Sequence, residues 1–260
     1  MTEAVKGGRN MRATEDIMQV WRKFNDFPME TLTKAWHSLI DPERKQRTTE
    51  VMKEHRALYG TSGNCFDLAI WLIDEFRQNK RPCYGVLTEH LHVAVVAVNE
   101  EGNKYFCDLG DQWIEPILLE PGHEAYTEEF VDGFFPGSRI KLNTRANRLL
   151  VTYGRPNGKE SSQAFDLTPV SDEALIIAGQ KTQRLFSDPL VEKRIFTDQE
   201  VLHWEFDDYE SFLSSKEGRK AEPQLKDIGE WAARIHTMSG IHEEVVIRAL
   251  EVYSKKSLHP

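Results

Sequence analysis

The chain has 260 residues, enough to bury a substantial core in one to three domains. It carries 42 acidic against 33 basic residues, a net charge of −9, and no clustered basic tract, which argues against nucleic-acid binding. No apolar run approaches the ~20 residues that a membrane-spanning helix needs. Its three cysteines, Cys65, Cys83 and Cys107, form no disulfide framework, so a reducing, cytoplasmic setting is expected. Their spacing matches no close Cys/His zinc pattern, and no metal site is expected.

Residues 1–12 include Gly7, Gly8 and several charges but no signal-peptide apolar stretch, and read as a mobile tail. Residues 13–80 read as a helical domain. Thr14, Glu15 and Asp16 give a start signal before Ile17 and Met18, and Pro28 precedes an apolar-periodic run through Trp36. Arg44 to Leu58 is a more charged helical stretch.

The informative helix opens at Cys65. Thr61, Ser62 and Asn64 are N-cap residue types, and Gly63 lets the backbone turn sharply. Asp67 suits the positive end of a helix. Leu68, Leu72 and Phe76 mark one apolar face, and Phe66, Ile70 and Ile73 another, so the helix is expected at the centre of the core. Its unpaired first-turn N–H groups would favour a thiolate at Cys65 and could hold an oxyanion. A lone buried cysteine more often packs as an inert small hydrophobe, and only the context argues otherwise.

That context lies in residues 81–170, which read as an antiparallel β domain. Arg81 to Leu87 is a strand, and Val93 to Val98 is an unbroken apolar run that reads as a strand buried on both faces. Asn99 to Asn103 is a polar turn, and Lys104 to Asp108 returns. If all five turn residues are loop, Val98 faces Lys104 and Asp108 faces Ala94. His92 and Asp108 then share a face one diagonal step apart, while Asp111 falls on the other. A four-residue loop would reverse the choice. His90 shares the face of His92 and is the competing base, nearer the loop. Thiol, imidazole and carboxylate in this order suggest nucleophilic acyl chemistry, with Cys65 as nucleophile, His92 as base and Asp108 orienting it.

Further on, Gly154 to Lys159 is a hairpin turn between Leu149–Tyr153 and Ala164–Leu167. Residues 171–260 read as mainly helical. A helix starts at Ser171, and Leu225–Ile235 and Ile241–Tyr253 are closing amphipathic helices. Glu205 to Glu210 reads as a solvated acidic segment, and Arg219 to Lys226 as a linker. Helices, an antiparallel sheet and helices again give an α+β fold.

The pattern Gly63-x-Cys65-Phe66-Asp67, then His92 leading an apolar strand, then Asp108-Leu109-Gly110, resembles arylamine N-acetyltransferases. These belong to the wider transglutaminase-like group of Cys-His-Asp enzymes. Trp113 to Leu119, Asn147 to Tyr153, Gln163 to Leu167 and Phe186 to Leu190 are similar to later segments of that family. The resemblance covers roughly residues 15–200.

It implies a cysteine-proteinase-like core: an N-terminal helical bundle, an antiparallel barrel or sheet, and a C-terminal lid-like region. It also implies catalysis by Cys65, His92 and Asp108, with acetyl-CoA received at Gly110, Asp111, Gln112 and Trp113. The partners implied are a small amine and an acyl-CoA. Departures stand beside it. Thr61-Ser62-Gly63 replaces the family's Arg-Gly-Gly, Asp67 replaces a Glu, Ala69 replaces an Asn, and Asp111 adds a charge where phosphates would approach. Three readings follow: an acyltransferase using a Cys65 thioester, a cysteine hydrolase or amidase without CoA, and an inactive binding scaffold of the same fold.

Overall fold

The computed structural model describes residues 11–185 and 189–257. Four N-terminal helices are α1 (Glu15–Trp21), α2 (Thr33–Ile40), α3 (Thr49–Tyr59) and α4 (Cys65–Gln78), with a two-residue strand β1 (Met29–Glu30) before α2. Eight strands follow: β2 (Cys83–Thr88), β3 (Val93–Val98), β4 (Lys104–Cys107), β5 (Ile117–Leu118), β6 (Val131–Phe135), β7 (Ser138–Arg145), β8 (Arg148–Gly154) and β9 (Glu160–Val170). They form one antiparallel sheet in the order β5-β4-β3-β2-β9-β8-β7-β6. Helix α5 (Asp172–Thr182) leads to β10 (Val191–Phe196), β11 (Val201–Asp207), β12 (Glu210–Ser215) and β13 (Gly218–Ala221), and the chain closes with α6 (Ile228–Ser239) and α7 (Glu243–Ser257).

The fold is α+β, as expected. Helix α4 is the centre of the larger core: Phe66, Leu68, Leu72 and Phe76 are wholly buried among β3, whose Val95, Val96 and Ala97 are buried as well. The β3–β4 register places Val98 opposite Lys104 and Val95 opposite Cys107, as a five-residue loop requires. The hairpin at Gly154–Lys159 also forms, pairing Gly154 with Glu160. Helix α3 begins later than the charged stretch suggests, because the Thr48 side chain accepts from the Val51 amide and sets the start at Thr49.

The expectation of a mainly helical C-terminal region is corrected. Strands β10 to β13 build a second antiparallel sheet, and β1 from the N-terminal half completes it at one edge. Residues 205–210 are not a solvated segment but the end of β11 and its turn into β12. Trp204 and Phe206 are wholly buried in a second core with Trp231, Ile235 and Leu250. Burying one such side chain stabilises by roughly 2–3 kcal/mol, which outweighs the half-buried acids flanking Phe206. The linker read at Arg219–Lys226 begins as strand, since Arg219 to Ala221 pair with β12. At the other end, Arg12 pairs with Ile117 and Met11 is buried, so these two residues of the expected tail belong to the fold. Residues 1–10 of that tail, and Phe186 to Asp188 of the family-like segment, lie outside the described residues. No helix among the described residues is long and apolar enough to cross a membrane.

Candidate active site

Cys65 is the first residue of α4, and the preceding Asn64 caps the helix. Asn64 Oδ1 accepts from the amides of Phe66 and Asp67, both at 3.0 Å, and Asp67 Oδ2 accepts from the Asn64 amide at 3.0 Å. This reciprocal box fixes the first turn. It also occupies two of the N–H groups that could hold an oxyanion, leaving the Cys65 amide as the donor the cap does not use.

The turn is anchored from outside the helix. Arg47 donates to Asp67 Oδ2 at 2.9 Å and Gln46 to Oδ1 at 2.6 Å. Burial opposes the Asp67 charge, but Arg47 holds the carboxyl below its ordinary range. On the other side, Glu30 Oε1 accepts from the amides of Ser62 at 3.2 Å and Gly63 at 2.7 Å. Gly63 takes φ +97°, a conformation that L side chains rarely adopt.

His92 follows the tight β2–β3 turn. Its amide donates to Thr88 Oγ1 at 3.0 Å, and its carbonyl accepts from the Thr88 amide at 2.9 Å. Leu91, just before it, takes φ +59°, a left-handed conformation that costs about 1 kcal/mol in a non-glycine residue. His92 Nε2 lies 2.8 Å from Asp108 Oδ2. Asp108 is wholly buried, while about 16% of the His92 side chain is exposed. Asp111 Oδ1 lies 3.4 Å from the same Nε2, and Asp111 Oδ2 accepts from the Tyr153 hydroxyl at 2.8 Å. Burial disfavours a charged His92, yet Asp108 and Asp111 push its pKa well above the ordinary value. Burial raises Asp111, and the Asp108 charge adds to this, against the pull of His92.

With Nε2 held by Asp108, Nδ1 is the ring nitrogen left for the thiol. Gly110 shows how tightly the parts meet: a β-carbon built there would come 2.6 Å from Cys65 Cβ, 2.6 Å from His92 Cε1 and 3.2 Å from Asp108 Oδ1. Cys65, His92 and Asp108 therefore surround one glycine that no other residue could replace without movement.

A cavity of about 330 Å³ opens over this group, with Cys65, His92, Gly110 and Asp111 in its wall together with Lys34, Gln163 and Glu192. Glu192 is paired with His203 Nε2 at 2.9 Å. His90 also borders the cavity but is exposed, and no carboxylate hydrogen-bonds to it among the described residues. The other two cysteines are set apart. Burial raises Cys83 to about 11 and holds Cys107 well above its ordinary value, so both stay protonated thiols at neutral pH.

Gly110 and Asp111 face the cavity, but Gln112 and Trp113, expected beside a cofactor, do not. Both are wholly buried. Gln112 donates to Leu109 O at 2.9 Å and accepts from the Arg194 amide at 3.1 Å, while the Trp113 carbonyl accepts from the Arg194 guanidinium. Gln112 takes φ +57°, which turns its side chain inward to the second sheet. The sequence reading missed Glu30, Lys34, Arg47 and Glu192, all brought in from distant segments. The visible signal was a lysine inside the apolar run Leu32–Trp36. The ligand atoms of His92, Asp108 and Asp111 also lie within 4.8 Å of one another, a cluster that cysteine spacing could not reveal.

In sequence, no family model and no curated protein matches the chain. In structure it matches solved enzymes over almost its whole length. An arylamine N-acetyltransferase of Mycobacterium marinum gives a TM-score of 0.71 at 12% identity, covering 95% of this chain and 94% of that one. One of Mycobacterium abscessus gives 0.69 at 15% identity, covering 93% and 90%. The M. marinum enzyme in complex with CoA gives 0.69 at 12% identity, covering 94% and 95%. At such identities the likeness is one of fold: the chain has the arylamine N-acetyltransferase fold.

Proposed function

We propose that the protein is a cysteine acyltransferase that moves an acetyl or other acyl group from acetyl-CoA to a small amine. The observation that carries this reading is the convergence of Cys65, His92 and Asp108 around Gly110, beside a cavity whose wall includes the thiol and the imidazole. In the first half-reaction, His92 Nδ1 takes the Cys65 proton and the thiolate attacks the thioester carbonyl. A carbon–sulfur bond forms, the Cys65 amide faces the oxyanion, and the CoA thiolate leaves with the proton from His92. In the second, the amine attacks the acyl-Cys65 carbonyl while His92 accepts its proton, and the Cys65 thiolate departs. Asp108 keeps the ring oriented and stabilises it while charged. The CoA complex of the M. marinum enzyme supports the choice of donor.

The test is intact-protein mass after brief incubation with acetyl-CoA. One added acetyl group, absent in Cys65→Ala, is the expected result. A protein that never acquires the group, and whose Cys65→Ala variant retains any transfer observed, would sink the reading.

A second reading is a hydrolase or amidase that uses the same three residues without CoA. It is favoured by the burial of Gln112 and Trp113 and by the Asp111 charge, which together leave little of the expected CoA-receiving turn. It predicts amide turnover and no thermal shift with acetyl-CoA.

A further inference from the structure

Lys34 is the second residue of α2, and its side chain is buried. Its Nζ donates to Thr182 O at 2.9 Å and to Leu185 O at 3.1 Å, both at or just beyond the end of α5. An ammonium has three N–H donors, so one is left, and Lys34 lines the same cavity as Cys65.

No carboxylate among the described residues forms an ion pair with it. The acids around it have other partners: Asp67 has Arg47 and Gln46, Glu30 has Thr33 and the Ser62 and Gly63 amides, Glu192 has His203, and Asp111 has Tyr153 and His92. A buried ammonium without a counter-charge is costly. Burial accordingly pushes Lys34 below its ordinary pKa, while Cys65, Asp67 and Glu30 pull the other way. Among the described residues none hydrogen-bonds the third N–H, which leaves it for a counter-charge in the cavity. His92 already serves the thiol, which leaves the ammonium for whatever reacts there.

We propose that Lys34 is an anion subsite beside Cys65, taking a carboxylate carried by the small molecule that reacts at the thiol. This rests on the acyl-transfer reading of Cys65. A monoanion fits better than a phosphate, because one N–H is available and Asp111 and Glu192 in the wall would repel a dianion. The body of that molecule packs against Met29, Leu91 and Leu185, which supply the apolar part of the wall. The carboxylate arrives either on the acyl group or on the acceptor amine.

The experiment compares alkylation of Cys65 by iodoacetate and by iodoacetamide, which differ in one charge. Peptide mapping follows the site, with the protonated Cys83 and Cys107 as internal controls. The iodoacetate-to-iodoacetamide rate ratio should fall about tenfold in Lys34→Gln, the effect of losing one close charge in a partly screened site, and should be kept in Lys34→Arg. The wild-type protein gives a second readout that needs no variant: benzoate should slow iodoacetamide, and benzamide should not.

Two further arms identify the source. Faster acylation of Cys65 by succinyl-CoA than by acetyl-CoA assigns the carboxylate to the acyl group. Protection of Cys65 by 4-aminobenzoate but not by aniline assigns it to the acceptor. A Cys65 that alkylates with the same ratio in wild type and Lys34→Gln, and that benzoate does not protect, would overturn the subsite alone. A Cys65 inert to both reagents would overturn the acyl-transfer reading as well.

Discussion

Asp111 Oδ1 lies 3.4 Å from His92 Nε2, the ring nitrogen that Asp108 already holds at 2.8 Å. One imidazole thus faces two carboxylates on one side and a thiol on the other. Burial works against its charge, but the two carboxylates raise its pKa well above 6.5. The folded ring therefore binds its proton more tightly than the unfolded one. This contribution to stability is complete below about pH 6.5 and is lost as pH rises through the folded value. Asp111→Asn should move the alkaline edge of the Cys65 alkylation profile to lower pH and leave Asp108 in place. An unmoved edge would show that Asp111 contributes no charge at His92.

Gly110→Ala should reduce Cys65 reactivity without unfolding the protein. The added β-carbon would stand 2.6 Å from both Cys65 Cβ and His92 Cε1, closer than real contacts allow. The thiol and the ring must then separate, and a misplacement of about 1 Å can cost on the order of 100-fold in rate. Alkylation kinetics with circular dichroism as the fold control would check this. An undiminished rate would mean that the gap relaxes elsewhere.

Arg47→Gln should destabilise strongly, because it strands the buried Asp67 carboxylate. Both side chains of that pair are nearly inaccessible, and breaking a buried pair from one side costs about 3–5 kcal/mol. Urea unfolding measures it. Pairing the change with Asp67→Asn should recover part of the loss, since no charge is then stranded. A single-variant loss below about 1 kcal/mol would contradict the role assigned to the pair.

His37 should make the protein acid-sensitive. Burial, followed by the charges of Arg47 and His55, lowers it from 6.5 to about 4. Between those values the unfolded chain binds a proton that the folded one refuses, so stability falls as pH drops. The slope is at most about 1.4 kcal/mol per pH unit for one group. Thermal midpoints between pH 7 and 4.5 should decline less steeply in His37→Phe. Identical slopes would place the acid sensitivity elsewhere.

The β3–β4 hairpin was legible because its logic is local. Five turn residues set the register, the register set the face, and the face selected Asp108 as the partner of His92. The same reasoning undervalued Asp111. Alternation holds only along a strand, and the chain leaves β4 at Cys107 and curls back toward the ring. The helix start at Cys65 was legible from Asn64 and Asp67, but the side chains that brace it were not. Glu30, Arg47 and Gln183 reach it across 33, 20 and 116 residues, a separation no window of sequence can bridge. The second sheet was hidden for a related reason. Its strands are short and carry many charges on their outer face, so Glu205–Glu210 reads as acidic until Phe206, beside Trp204, is seen facing inward.

Glu30 belongs to the second sheet through its backbone, pairing with Val191, and to the loop before Cys65 through its side chain, binding the Ser62 and Gly63 amides. The C-terminal half is thus mechanically wired to the turn before the thiol. Shortening the chain after α5 would not uncover a ready-made reactive centre. It would remove β10, free β1, and let the turn ahead of Cys65 go slack. A fragment ending at the first sheet should therefore lose the fixed geometry at Cys65, whose reactivity would report whether the second sheet has formed.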